Sequence, residues 1–184
     1  MNTSATTQVA LPAGTWRLDA VHSSVGFSVR YIAGRYRRGF ASFDASLDTT
    51  GGEPQLEGSA DVSSITIELP PFREHMLGEE FFDVARHPQL RFVSTAFRRD
   101  GDRVEVEAEL TLRGVTKPLV ATGTVMGPVE APFTGARAVG VQLAATVDRA
   151  AFGFGWNADL GGGGGPAMPG EVLLEADLQF VLDE

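Results

Sequence analysis

The side chains that could do chemistry in this chain are three histidines, a knot of arginines and little else. His22, His75 and His87 stand singly, without the H-x-x-x-H spacing that puts two imidazoles on one helical face for zinc. His75, between Glu74 and Met76, reads either as an outward residue of a short helix or as a contact to a ligand head group, and Arg73 reads the same way. His22 reads as a structural hydrogen-bonding residue. Arg35, Arg37 and Arg38 are the local concentration of positive charge and read as a solvated turn. Asp148-Arg149 reads as an ion-paired strand end, and Trp16 and Trp156 as core or rim residues. No nucleophile elbow or paired-carboxylate motif occurs. Residues 161–165 are five consecutive glycines, without the Lys and Ser/Thr of a phosphate loop. They read as a flexible loop, with a mobile lid as the functional alternative.

The elements that would position these residues are strands around one helical piece. Phe72, Met76, Leu77, Phe81 and Val84 follow one face of a helix, and Pro88 disfavours helical geometry at His87, so the helix is expected to end there. From Pro88 the period becomes two, with Leu90 and Phe92 leading to Phe97. Before the helix, the odd positions 21–31 share one face of a long first strand that starts at Trp16 and includes Val25, Phe27, Val29 and Tyr31. Residues 34–39 are expected to turn. A second strand follows over Phe40, Phe43 and Leu47, with a bulge where the alternation slips. A third runs from Leu56 to Leu69. After the helix come residues 90–97, the oily-and-acidic alternation Val104 to Leu112, then Leu119 to Val125, Val139 to Val147, and Val172 to Phe180.

The expected fold is therefore all-β: an eight-stranded antiparallel barrel with a short helical cap between the third and fourth strands. Residues 1–14 are expected to be a flexible N-terminal tail and residues 15–184 a single β-barrel domain. A barrel of this size is either filled by its own side chains or holds one small ligand. Small residues on the inward faces (Ala108, Ala121, Gly123, Ala145, Ala176, Val25, Val29) point to internal space.

Composition limits the partners. The 184 residues carry a formal net charge of −9, which disfavours nucleic acid and a strongly anionic membrane surface. With no cysteine, disulfides and thiol chemistry are excluded. No apolar run is long enough to span a membrane and no signal-peptide pattern opens the chain, so a cytoplasmic location is expected. No metal and no cofactor is expected.

Several pieces, taken in order, resemble the YceI-like family of polyisoprenoid-binding, lipocalin-like proteins. They are residues 16–30 (Trp16-Arg17-Leu18-Asp19 through Phe27-Ser28-Val29-Arg30), Ser64-Ile65, residues 73–77, Phe81-Phe82-Asp83, His87-Pro88 and Phe92. The hairpin Leu110-Thr111-Leu112-Arg113-Gly114-Val115-Thr116-Lys117, then Arg149 with Phe152-Gly153 and the closing Gly170-Glu171-Val172, complete the likeness over residues 15–182. The chain departs from the family's pattern at Tyr31, at Arg73-Glu74, at Gly39-Phe40 and at the five glycines, all in loops or at the expected mouth.

The resemblance implies a lipocalin-like barrel with a long apolar interior for an isoprenoid chain, such as a polyprenyl pyrophosphate or a quinone-like lipid. The expected function is binding, transport or storage of that lipid without catalysis. Val25, Phe27, Val29, Arg30, Tyr31, Phe72, Arg73, His75, Met76, Leu77, Phe81, Phe82, Phe92 and Trp156 are the expected ligand-binding residues. The expected partners are a long-chain isoprenoid or other amphiphilic lipid and, as a homodimer, a second copy of the chain. Two other readings stay open: an enzyme modifying such a lipid with His75 or His22 as acid or base, and a filled-core module dimerising through an exposed strand or the cap.

Overall fold

The computed structural model describes residues 11–183, so the first ten residues of the expected tail lie outside the described part. Just after them the chain is already tethered. The Thr49 hydroxyl donates to the Pro12 carbonyl at 2.6 Å and accepts from the Gly14 amide at 3.0 Å.

The strands are β1 Thr15–Leu18, β2 Ser24–Tyr31, β3 Gly34–Gly39, β4 Phe43–Asp48, β5 Gln55–Asp61, β6 Gln89–Asp100, β7 Arg103–Leu112, β8 Val115–Glu130 and β9 Arg137–Asp148. A two-residue pair, β10 Asp159–Leu160 and β11 Gly165–Pro166, precedes β12 Glu171–Leu182. Helix α1 spans Pro70–Leu77. Eight antiparallel strands close a barrel in the order β1-β4-β5-β6-β7-β8-β9-β12 and back to β1. The closing pairs are Trp16 with Leu182 on one side and Trp16 with Leu47 on the other. Further along β12 the same edge pairs with β2 instead, Leu174 against Phe27, and β2 carries β3. An isolated bridge between Phe40 and Ile65 then ties β3's exit to the chain after β5.

Alternation does what period two requires. On β7, Val104, Val106, Ala108 and Leu110 are buried while Glu105 and Glu109 are exposed. On β9, Val139, Val141, Leu143, Ala145 and Val147 point inward.

The eight-stranded antiparallel barrel holds, but the cap does not lie between a third and a fourth strand: α1 lies between β5 and β6. Two local events account for the shift. The expected first strand is broken by a helical turn, Ala20–His22. There Asp19 Oδ2 lies 2.8 Å from His22 Nδ1, and the Ser23 hydroxyl donates to the Asp19 carbonyl at 2.7 Å. Short polar side chains that bond locally compete with the sheet ladder in this way. Val21, on the apparent inner face, is left 87% exposed.

The second event is that residues 34–39 form β3 rather than a turn. The turn is Ile32-Ala33, where Ile32 takes φ +54°. Tyr36 alone supplies the inward apolar signal among arginines, so the alternation is hard to see.

The helix is also shorter than its apolar face suggests. Pro70 and Pro71 open it, and Gly78 ends it. The segment 78–87 folds as turns around Asp83, which adopts φ +48°. The Asp83 amide donates to Gly78 O at 2.8 Å, and the His87 amide donates to Asp83 O at 2.9 Å. The expected third strand likewise stops at Asp61, where a helical turn, Val62–Ser64, takes over. Among the described residues no helix is long and apolar enough to cross a membrane.

Candidate functional site

Two buried clusters divide the barrel. At the end where β1 completes the ring, Trp16, Leu47, Val106, Val125, Val139, Val141 and Phe180 are at or near zero exposure and fill the interior. The Trp16 indole is satisfied there by Thr49 Oγ1 at 3.1 Å. Beneath α1 the second cluster contains Val29, Phe40, Met76, Phe81, Phe82, Phe152, Phe154 and Met168. Between them lies a cavity of about 390 Å³ whose lining is almost entirely apolar.

The expected small inward residues leave that space in part. Val25, Val29, Ala121, Ala145 and Ala176 line the cavity. Ala108 instead packs in the filled cluster. At Gly123 a Cβ would stand 1.7 Å from the Gln142 carbonyl oxygen, so the glycine serves close strand approach rather than cavity room.

Of the expected ligand contacts, Val25, Phe27, Val29, Tyr31, Phe72, Met76, Phe81, Phe82, Phe92 and Trp156 line the cavity. Tyr31 and Phe72 do so while remaining exposed, which marks the mouth between the end of β2 and the start of α1. The other four are placed elsewhere. Arg30 is exposed and pairs across the hairpin with Arg35. Arg73 is turned to the Ser63 carbonyl, which ties α1 to the turn after β5. His75 stacks edge-on against Phe81 and Trp156, at 5.1 and 5.3 Å between centroids, with Nδ1 3.7 Å from Glu80. Leu77 packs behind the cap cluster. His22 stands on the outside with Asp19 and does not line the cavity. Among the described residues no group of three or more His, Asp or Glu is placed to hold a metal ion.

Two arginines build the frame of the cap end. Arg113 and Gly114 both take positive φ, +52° and +73°, which makes the tight β7–β8 turn. A Cβ on Gly114 would stand 2.5 Å from the His87 ring, so this turn sits directly on the segment after α1. From it the Arg113 guanidinium donates to the Gly153 carbonyl and, at 2.6 Å, to the Glu79 carbonyl. Arg149 is not an ion-paired strand end. Its Nε donates to Pro169 O at 3.1 Å, and its Nη1 to Phe154 O at 3.3 Å and Trp156 O at 2.8 Å. Burial pushes the Arg149 guanidinium below its usual pKa, against the opposing pull of Asp148. Three carbonyl dipoles rather than a carboxylate meet its charge. The loop 152–156 is thereby held so that Phe154 and Trp156 face the cavity.

Two buried side-chain polar atoms lack a partner among the described residues: the Tyr36 hydroxyl, at the cavity, and Arg38 Nε beside it. The Tyr36 ring lies edge-on to Phe72 at 5.7 Å. Burial raises the phenol's pKa; Arg38, whose guanidinium sits 4.4 Å over the ring, pulls the other way. Tyr36 is thus a neutral donor at physiological pH.

Tyr36 escapes sequence reasoning because β3 reads as a turn. Leu110, Leu112, Val172 and Leu174 also line the cavity and were findable, since each continues a clean inward alternation. Phe154 and Met168 come from irregular loops whose sequence carries no period. The five glycines form part of the small β10–β11 hairpin, and none of them lines the cavity.

Comparison with known proteins matches this architecture. The model of the YceI-like domain family matches residues 16–180. Protein YceI of Salmonella newport is 31% identical over 136 residues, covering 68% of this chain and 69% of its own length. Among solved structures, BcnA of Burkholderia cenocepacia superposes with a TM-score of 0.74 at 19% identity, over 88% of this chain and 98% of its own. A polyisoprenoid binding domain from Saccharophagus degradans, implicated in plant cell wall breakdown, superposes with a TM-score of 0.69 at 16% identity. It covers 91% of this chain and 98% of that one. With the filled end, the capped cavity and the Arg113-Gly114 hairpin in place, the match over residues 16–180 makes this chain a member of the YceI-like domain family.

Proposed function

We propose that the protein binds and carries an apolar lipid of isoprenoid type in its barrel, without acting on it chemically. The observation that carries this reading is the apolar cavity of about 390 Å³ enclosed by strands and cap. Its size suits one small ligand. A methylene is about as large as a water molecule, so at ~30 Å³ each the space takes on the order of a dozen carbons. Burying them is worth roughly 10 kcal/mol gross at about 0.8 per carbon, before the cost of ordering the chain. Two to three isoprene units fill the cavity, and a longer chain keeps its remainder at the mouth beside Tyr31 and Phe72.

The head group in this reading is neutral and weakly polar, as in a quinone or an alcohol. Arg149, the arginine among the described residues that line the cavity, already has its Nε and Nη1 committed to carbonyls. Arg73 is committed to Ser63. Tyr36 offers a donor with no partner of its own. The domain from Saccharophagus degradans, described as polyisoprenoid binding, supports the lipid class by analogy.

Organic extraction and native mass spectrometry of the purified protein test the reading. A stoichiometric prenyl lipid is the expected result. Protein that is repeatedly empty, and that takes up neither prenyl alcohols nor quinones when they are offered, would sink it.

A further inference from the structure

Tyr31 and Phe72 line the mouth of the cavity, Ile32 and Leu69 beside them extend an exposed apolar rim among the described residues, and the adjoining hairpin is basic in an acidic protein. Tyr31, Ile32, Leu69 and Phe72 are all exposed, at 40, 56, 62 and 36%. They come from two elements that meet at the mouth: the β2–β3 tip, and α1 with the residue before it. Between Asp19 and Asp44 the sequence has no acid and four arginines, although the whole chain is −9. Arg30, Arg35 and Arg37 are exposed, and Arg30 stands directly opposite Arg35. Like charges directly opposite on a sheet destabilise it. Among the described residues none of the three forms an ion pair, whereas Arg17, Arg86, Arg91 and Arg98 each do. The acids that β12 places against β2, Glu175 opposite Gly26 and Asp177 opposite Ser24, lie toward the far end of β2 from the tip; with Glu68 they line a groove shared with Arg37 and Arg38, whereas Arg30 and Arg35, next to the tip, stand outside it.

We propose that the β2–β3 tip and the start of α1 form a docking surface for an anionic lipid bilayer, which sets the cavity mouth against the membrane. The apolar rim enters the head-group region while the hairpin arginines meet lipid phosphates. Screening over about 8 Å at physiological salt makes the local arginines count for more than the distant acids that set the net charge. A few apolar side chains together with a small basic patch give reversible attachment, since stable anchoring takes two such signals at greater strength. Reversibility is what a carrier that collects and delivers lipid requires. The purpose assigned here rests on the lipid-carrier reading; the surface itself does not.

Co-sedimentation of the purified protein with vesicles tests the surface. Vesicles of phosphatidylcholine and phosphatidylglycerol in equal parts are expected to pull the protein down at low salt, those of phosphatidylcholine alone far less, and added salt should release it. Losing an arginine near an anionic surface weakens binding about fivefold. The Arg35→Gln/Arg37→Gln double variant should therefore partition roughly 25-fold less, and Ile32→Ser severalfold less. Arg91→Gln, on the barrel wall, should behave as the parent does. No sedimentation with the mixed vesicles, or equal sedimentation of the parent and the double variant, overturns the proposal. So does a double variant that keeps vesicle binding but loses affinity for a soluble short-chain prenyl diphosphate, because the arginines would then serve the ligand's own head group. Lipid content by extraction is scored in parallel. Lost docking with content intact counts against the surface alone, and docking by an empty barrel counts against the cargo alone.

Discussion

The two ends of this barrel are made from the same strands and differ in what fills them. Where β1 closes the ring, Trp16, Leu47, Val139 and Phe180 interlock at 0–1% exposure, and none of them lines the cavity. Toward α1 the inward residues of β9 and β12 shrink to Ala145 and Ala176; Phe27, Tyr36 and Phe92 add rings from strands, but Phe72, Phe81, Phe82, Phe154 and Trp156 come from the cap and loops. Strand-borne bulk makes a plug. Bulk carried on elements outside the ladder, held by single side-chain ties such as Arg113 and Arg149, makes a roof over a void.

Trp16→Ala attacks the plug and should have the largest effect. It removes a fully buried indole and leaves Thr49 short of a donor, at a cost of about 3–5 kcal/mol read as a fall in thermal midpoint. Lipid bound per folded molecule should stay as it was; a loss as large as the loss of stability would erase the distinction between the ends. The converse change is Ala145→Phe, which puts bulk on a strand beside the void. Lipid uptake should fall at least tenfold with the melting temperature unchanged or higher, and unaltered uptake would mean the ligand lies elsewhere.

Arg113→Met tests the roof. It strips the donors from the Gly153 and Glu79 carbonyls, worth about 1–3 kcal/mol if they stay dry. Faster lipid exchange should accompany the lost stability. Tyr36→Phe is smaller still. Removing an unpartnered buried hydroxyl should leave the empty protein as stable or up to about 1 kcal/mol more so, and should weaken a quinone more than a plain hydrocarbon.

The smallest effect sits at the bend between β1 and β2. Asp19 is held below the usual carboxylate pKa, chiefly by its hydrogen bond to His22. A lowered folded value means stability that is complete above the unfolded carboxylate value and lost as pH falls through the folded one. Asp19→Asn should flatten the acid limb of a stability–pH curve slightly. An unchanged limb would remove Asp19 from the account.

The plug was legible in the sequence. The alternations of β7, β9 and β12 are long, unbroken and one-sided; Phe180 is part of the last of them, and Trp16 opens the strand that pairs with it. The roof was only half legible. Met76, Phe81 and Val84 follow a helical face although only Met76 is in the helix, because Gly78 and the positive-φ Asp83 redirect the chain without changing which residues are apolar. β3 was hidden because an edge strand facing solvent needs only one inward residue, here Tyr36. The partners of Arg113 and Arg149 are backbone carbonyls of irregular loops, near in sequence for Phe154 and Trp156 and remote for Glu79, Gly153 and Pro169, and no side-chain pattern announces them.

The dry hollow has a consequence for folding as well as for cargo. At ~24 cal/mol per Å³, leaving a space of about 390 Å³ unfilled forgoes on the order of 9 kcal/mol, comparable with the whole stability of an ordinary domain. The polypeptide encodes an interior with a piece missing and recruits that piece from its surroundings. Newly made chains should therefore mature most readily where hydrocarbon is on hand, and stripping the guest should leave a fragile shell.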